Sequence, residues 1–368
     1  MVGACPYPVP QGSQVYLRNT ALALRDAGHN VRLVTYGYGL GEDPSGLPLH
    51  RAPNLPFARR TAAGPSIAKP LQDAMLARTL RQVVRDHRID VVNAHNYEAL
   101  AVALAAGKRP IVYHAHNALA DELPHYFPNR ANAAALGRAF DKNLPRRADL
   151  VVTPHEELAV YLLGAGCIAE RIRTVSPPID LDAFVPRPPN GKLPALLYAG
   201  NLDAYQNLDL LGPVMRRVHD AVPEAKLVIA TGATQSAALL RAAELGRVVC
   251  EDSLNAALHE LPQGAIFVCP RASWSGYPMK LLNAMAAGLP IVCSESAGHP
   301  FTDGEDALLT PDNNAQAFAD AVIRLLRDAG LRARLSAAAR RTAEQRHSFA
   351  AVSAQLDAHF HALPLHAR

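Results

Sequence analysis

Short apolar runs alternate with longer amphipathic runs along nearly the whole chain, in two successive series. The first series of strand-like runs is Val31–Tyr36, Val91–Ala94, Ile111–His114, Leu150–Thr153 and Thr174–Ser176. The second is Ala195–Ala199, Lys226–Ala230, Val248–Cys250, Ile266–Cys269 and Ile291–Cys293. Between them helical periodicity covers Gln14–Ala27, Ala68–His87, Tyr97–Ala106, Ala133–Leu144 and Pro154–Gly164. It resumes at Leu208–Asp220, Gln235–Leu245, Ser253–Glu260, Pro278–Ala287, Asn314–Asp328 and Leu331–Gln345. Such alternation predicts parallel sheets with helices on both faces. A proline-rich stretch from Ser176 to Pro189 separates the series, so the expectation is two doubly wound α/β domains, 1–180 and 190–345. The segment 346–368 holds one last helix, Phe349–Leu363. Only Met1–Cys5 precede the loop Pro6–Ser13, so either the first strand is very short or the start lies inside it, which would clip an edge of the sheet.

The 368 residues suit two domains of ordinary size. A composition 49% hydrophobic and 19% charged is that of a soluble globular protein. A net charge of +4 is too small to argue for nucleic acid and is compatible with an anionic ligand. Cys5, Cys167, Cys250, Cys269 and Cys293 are widely spaced and odd in number, which argues for a reducing compartment and against a disulfide framework or a zinc site. No apolar run reaches membrane-spanning length and no secretion signal is recognisable, so a cytoplasmic protein is expected, with a visit to a membrane surface left open.

The stretch from Arg271 to Val292 reads as a glycine-containing loop, a helix and a buried strand. Pro278 suits the first helical turn, Gly288 the helix end, and Ile291–Cys293 the strand. A loop feeding a helix N-terminus presents unbonded N–H groups and a positive dipole end. Arg271 and Lys280 flank that end, so the local chemistry points to a phosphate or diphosphate. The same pattern also describes an ordinary strand–loop–helix of any α/β protein.

The segment resembles the donor-binding segment of the retaining, family-4 glycosyltransferases of the GT-B fold. The run Asn283-Ala-Met-Ala-Ala-Gly288-Leu-Pro290 carries the match. Where that family has two glutamates, this chain has Ser275 and Asn283. Pro177-Pro-Ile-Asp180 through Phe184 is similar to the segment that ends the first GT-B domain. The resemblance implies two Rossmann-like domains facing across a cleft, with the C-terminal helix crossing back to the first.

Other segments extend the resemblance. The loop ending at Gly12 and Ser13 precedes a helix; glycine there allows close ligand approach and Ser13 is a natural N-cap. In the family this loop faces the donor diphosphate and the acceptor. Gly37, Gly39 and Gly41 lack dinucleotide-fingerprint spacing and read as a flexible loop. His95, His114 and His116 end adjacent strand candidates, where open α/β sheets present ligand groups. They lack an assured carboxylate partner and a geometry that aims them at one point, which argues against a metal. The resemblance places His116 at the donor sugar and His95 near the acceptor, with Asp121 and Glu122 as acceptor-side candidates. Gly200 and Asn201 follow the first strand of the second series, where the family has an Arg and a Lys on the diphosphate. This chain has neutral Asn201 and Gln206 there, so Arg271 and Lys280 become the substitutes. Arg78, Arg81, Arg85 and Arg88 form a helical stripe, with Arg59 and Arg60 before it: a solvated face or a surface for anionic headgroups.

The reaction so implied moves a sugar from a nucleotide-diphosphate sugar to an acceptor hydroxyl with retention. Catalytic candidates are His116, Arg271 and Lys280. Donor-binding candidates are Gly12, Ser13, Gly200, Asn201, Ser275, Gly276, Tyr277, Met279 and Asn283; His95 and Asp121 serve the acceptor. No metal or other cofactor is expected. Partners would be a nucleotide sugar, a carbohydrate or lipid-linked acceptor and, from the basic stripe, an anionic membrane. A catalytically silent nucleotide-binding relative and a sugar-nucleotide epimerase remain as alternatives; a nicotinamide dehydrogenase lacks its fingerprint.

Overall fold

A computed structural model describes residues 1–43, 45–55, 61, 64, 66–107, 110–185, 194–232, 244–249, 254–259, 261 and 265–363. Parts of the expected helices Gln235–Leu245 and Ser253–Glu260, hinge residues 186–189, Arg59, Arg60 and Cys250 lie outside the described residues. The chain forms two compact units. One comprises Met1–Pro178, Ser275–Tyr277 and Phe349–Arg368; the other comprises Ile179–Trp274 and Pro278–Ser348.

The first unit holds a seven-stranded sheet. Its strands are β1 (Val2–Gly3), β2 (Leu33–Thr35), β3 (Leu49–Arg51), β4 (Val92–His95), β5 (Ile111–His114), β6 (Leu150–Thr153) and β7 (Ile172–Thr174). All pairs are parallel, in the order β3-β2-β1-β4-β5-β6-β7. The second unit repeats the scheme with β8 (Ala195–Ala199), β9 (Leu227–Ala230), β10 (Arg247–Val249), β11 (Ala265–Cys269), β12 (Ile291–Ser294) and β13 (Leu308–Thr310), ordered β10-β9-β8-β11-β12-β13. In both sheets the order reverses beside the first strand, where ligands bind in doubly wound folds. β8 and β11 read Ala-Leu-Leu-Tyr-Ala and Ala-Ile-Phe-Val-Cys and are almost wholly buried, as strands covered on both faces must be.

Helix Phe349–His361 packs on helix Gly12–Asp26, placing Val352 and Leu356 in the core of the first unit. The C-terminal helix therefore returns to the first unit. In the second unit, helices Leu211–Ala221 and Ala315–Arg327 pack together, with Val214, Val218, Phe318 and Val322 fully buried. Asn314 and Asp328 cap the helices that follow them, accepting from Ala317 N–H at 3.0 Å and Leu331 N–H at 2.8 Å.

Several expectations are corrected. β1 has only two residues, but it lies centrally between β2 and β4 and not at an edge of the sheet. β3 carries too little apolar periodicity to have been read as a strand. Helix Gly12–Asp26 begins before Ser13, its N-cap is Gln11, and no side chain caps it. Pro278 is the N-cap of helix Met279–Ala286, one residue before the first turn. Gly37 and Gly39 serve close packing: a Cβ would stand 2.4 Å from the Ala52 carbonyl oxygen and 2.0 Å from that of Tyr7. Tyr7 N–H donates to Tyr38 O at 3.0 Å and Leu40 N–H to Pro8 O at 2.7 Å, tying this loop down.

Candidate functional site

In the second unit, the segment after β8 and the start of helix Met279–Ala286 meet through side chains. Lys280 Nζ donates to Tyr198 Oη at 2.8 Å and to Gln206 Oε1 at 2.6 Å, and lies 4.3 Å from the centre of the Tyr198 ring. Gln206 Nε2 donates to Asn201 Oδ1 at 2.7 Å; Asn201 Nδ2 donates to Tyr205 Oη at 3.0 Å and to Asp203 at 2.7 Å. The Arg271 guanidinium sits 5.3 Å from the centre of the Tyr205 ring. Arg271 is buried, donates to Ser273 Oγ at 3.3 Å, and leaves Nε without a partner. One network thus joins Asn201, Arg271 and Lys280 and adds Tyr198, Tyr205 and Gln206. Burial pushes the Lys280 ammonium down to about 8.

Gly200 is required by this arrangement. Its φ is +144°, and a Cβ there would stand 2.9 Å from Lys280 Nζ. Gly288, at φ +63°, ends the helix as its sequence position implied. Met279 opens the helix, where the first N–H groups have no partner one turn back. Asn283 lies one turn on, half-buried.

Ser275–Tyr277 group with the first unit. Ser275 Oγ and N–H donate to Asp121 Oδ2 at 2.7 and 3.3 Å, and the Ser275 carbonyl lies 3.1 Å from His155 Nε2. Gly276 and Tyr277 are buried beside them.

The three histidines at the ends of β4 and β5 do converge, contrary to the doubt their spacing raised. His95 stacks on His114 with ring centres 4.4 Å apart, and His95 Nδ1 lies 3.0 Å from His116 Nε2. Tyr16 stacks on His116 at 4.7 Å. Burial drives all three imidazoles toward the neutral form, His114 and His116 to about 3. His95 and His116 each spend one nitrogen on the other.

His116 lines a cavity of about 110 Å³ in the first unit, shared with Ser13, Gln14, Tyr38, Lys69, Glu98 and Glu122. His95 is 1% exposed and stands behind His116, not on the cavity wall. Of the two acceptor-side carboxylates, Glu122 lines the cavity and Asp121 accepts from Ser275. Lys69 Nζ pairs with Glu98 Oε1 at 2.5 Å. Asn117 Nδ2 donates to Glu122 Oε2 at 2.7 Å, and burial raises the Glu122 carboxyl. Asn96, at φ +75°, caps the helix that carries Glu98. Ser13 is exposed at the cavity mouth and Gly12 precedes it in the first helical turn.

Sequence reasoning missed Lys69, Glu98, Gln14 and the tyrosines around both networks. The one available signal was Asn96, a capping residue directly after a strand-end histidine. In the basic stripe, Arg81 donates to the Ala105 and Ala106 carbonyls at the end of helix Tyr97–Ala106, while Arg78, Arg85 and Arg88 are exposed. Among the described residues no helix is long and apolar enough to cross a membrane.

Two family models match consecutive stretches: "Glycosyltransferase Family 4" over residues 10–183 and "Glycosyl transferases group 1" over residues 193–328. The sulfoquinovosyl transferase SQD2 of Arabidopsis thaliana is 25% identical over 328 residues, 82% of this chain and 60% of that protein. A D-inositol 3-phosphate glycosyltransferase of Kribbella flavida is 26% identical over 374 residues, covering 89% and 85%. The chain thus spans three-fifths of the length of the first and most of the second. Among solved structures, sucrose-phosphate synthase from Thermosynechococcus elongatus matches with a TM-score of 0.78 at 18% identity, covering 96% of this chain and 93% of that one. HepE of Anabaena, in complex with UDP-glucose, matches at 0.75 and 16% identity, covering 98% of each. Both likenesses are likenesses of fold.

Proposed function

Because the chain belongs to the group 1 glycosyltransferases of the GT-B fold, we propose that it moves a sugar from a nucleotide-diphosphate sugar to an acceptor hydroxyl with retention at the anomeric carbon. The observation that carries this reading is the Lys280 network. An ammonium held by a phenol and an amide, with an arginine on the adjoining tyrosine, keeps its charge for an anion. When the bond between the anomeric carbon and the diphosphate oxygen breaks, negative charge grows on the leaving diphosphate. Arg271, Lys280 and the N–H groups opening helix Met279–Ala286 would stabilise it without a divalent metal; donors aimed at developing charge are worth about 3–4 kcal/mol each. The acceptor oxygen bonds to the same face of the anomeric carbon, and its proton passes to the departing diphosphate oxygen.

His116 would orient the sugar and Asn283 a ribose or sugar hydroxyl. The acceptor would be a glycan, a lipid-linked sugar or a surface-polysaccharide precursor. Support for the nucleotide sugar comes from the family and from the UDP-glucose complex of a structural neighbour.

Thermal-shift screening against UDP-, GDP- and ADP-sugars identifies the donor. Acceptor-dependent release of nucleoside diphosphate then measures transfer, and NMR of the product reads its anomeric configuration. Arg271→Ala and Lys280→Ala should each lower donor kcat/KM at least roughly tenfold, the loss of about 1.4 kcal/mol. Near-normal values for both would sink the diphosphate assignment. Donor binding without any turnover would leave a nucleotide-binding protein in place of a transferase.

A further inference from the structure

The cavity of the first unit has a character that the transfer reaction does not dictate. Two residues that line it each carry a buried polar atom without a hydrogen-bond partner: Gln14 Oε1, on a residue 5% exposed, and His116 Nδ1, on a residue 9% exposed. A buried polar atom left unpaired carries its full desolvation cost, so a ligand that satisfies both gains from it. An amide oxygen only accepts, so it asks for an O–H or N–H. The neutral imidazole nitrogen donates or accepts according to its tautomer, and a hydroxyl serves either case.

The electrostatics select further. Among the described residues of the wall, Glu98 and Glu122 are carboxyl groups and Lys69 is the ammonium. Lys69 is committed to Glu98 at 2.5 Å, and Asn117 already holds Glu122. Among the charged groups of the wall a phosphate meets one spent cation and two carboxyl groups, and the unpaired amide oxygen of Gln14 has nothing to donate to it. An uncharged ring bearing hydroxyls meets acceptors for its donors and lining tyrosines such as Tyr38, whose hydroxyl accepts from Gln72 at 3.4 Å.

We propose that this cavity takes the uncharged, hydroxyl-rich end of the acceptor, a sugar or polyol ring without phosphate, and discriminates against its phosphorylated counterpart. The inference rests on the transferase reading only for the word acceptor; the ligand class follows from the wall itself. Glu98 is the specificity-determining residue, because it cancels the charge of Lys69.

Binding is tested on the full chain by saturation-transfer NMR with methyl α-glucoside and myo-inositol, each against its monophosphate. Wild type is expected to transfer saturation to both neutral ligands, with at least tenfold weaker binding of the phosphates. Gln14→Leu should weaken neutral binding. Glu98→Gln, which preserves shape and unpairs Lys69, should narrow the phosphate deficit at least tenfold. Equal or tighter binding of the phosphates by wild type overturns the proposal, as does an unchanged preference in Glu98→Gln. The same ligands are then supplied as acceptors with the identified donor. Neutral binding without transfer counts against the transferase reading alone, while transfer to the phosphates at equal kcat/KM counts against the ligand class alone. Octyl glucoside and a free trisaccharide, both ending in a neutral ring, separate a lipid-linked source from a glycan source.

Discussion

Lys69 and Lys280 each stand in the first turn of a helix, in two units whose sheets share the order of their first six strands, and each lies beside a candidate ligand site. Their partners differ. Lys280 is held by a phenol, an amide and an aromatic face, all neutral, whereas Lys69 faces a carboxylate at 2.5 Å. An ammonium held by neutral donors and acceptors keeps its full charge for an incoming anion. One paired with a carboxylate contributes shape and hydrogen bonds but little net field. One fold, used twice, thereby presents an anion-seeking surface in the second unit and a near-neutral polar one in the first.

The sharpest way to break this contrast is to remove the two lysines in turn. Lys280→Ala should lower donor kcat/KM by about 100-fold, the effect of losing a donor to developing charge. Lys69→Ala should leave the donor KM within roughly threefold, because the charge it loses is already cancelled by its partner. Equal effects of the two in steady-state assays of nucleoside diphosphate release would erase the distinction. A pH profile adds an independent arm. Burial lowers the Lys280 pKa to about 8, so the charged form that binds diphosphate is lost as pH rises through 8. Donor kcat/KM should be flat below that value and fall about tenfold per pH unit above it. In Lys280→Arg the falling limb should disappear, since a guanidinium stays charged.

The histidines test the near-neutral side. Their folded pKa values are depressed, to about 3 for His114 and His116, against an unfolded value near 6.5. Between those values the unfolded chain binds more protons, so stability rises with pH. The stabilisation is therefore complete above about pH 6.5 and is lost as pH falls toward 3, at about 1.4 kcal/mol per pH unit for each histidine. Urea unfolding of wild type at pH 7, 6 and 5 should show this slope, and His114→Phe should reduce it by one proton. An identical slope in the variant would show that His114 is protonated in the folded state.

The two halves of the contrast were unequally legible in the sequence. The anion-seeking side lies in segments whose signals are local: a proline before a helix, a glycine after it, Lys280 in its first turn, and Gly200 after an apolar run. The near-neutral side is assembled from Gln14, Lys69, Glu98 and His116. The central position of β1, with β2 on one flank and β4 on the other, brings their elements together. No spacing along the chain encodes that adjacency. The convergence of His95 and His116 is similar: parallel register sets His95 opposite His114, and two further residues carry His116 back over the end of β4. The tight glycines at 37 and 39 were unreadable for the same reason, because their neighbours, Ala52 and Tyr7, come from other segments.

The smallest effect concerns how each helix opens onto its site. Neither Gly12–Asp26 nor Met279–Ala286 has a side-chain cap, whereas Asn314 and Asp328 cap helices elsewhere in the second unit. A capping hydroxyl would occupy a first-turn N–H that these two helix starts leave without a side-chain partner. Ser13, the cap expected from sequence, sits inside the first turn, is exposed and makes no capping bond. Ser13→Ala should therefore change the unfolding free energy by less than about 0.5 kcal/mol, as at an ordinary surface position. Loss of a true N-cap costs about 1 kcal/mol. A urea midpoint shift equivalent to that larger value, at unchanged m, would place Ser13 at the cap and remove the likeness between the two helix starts.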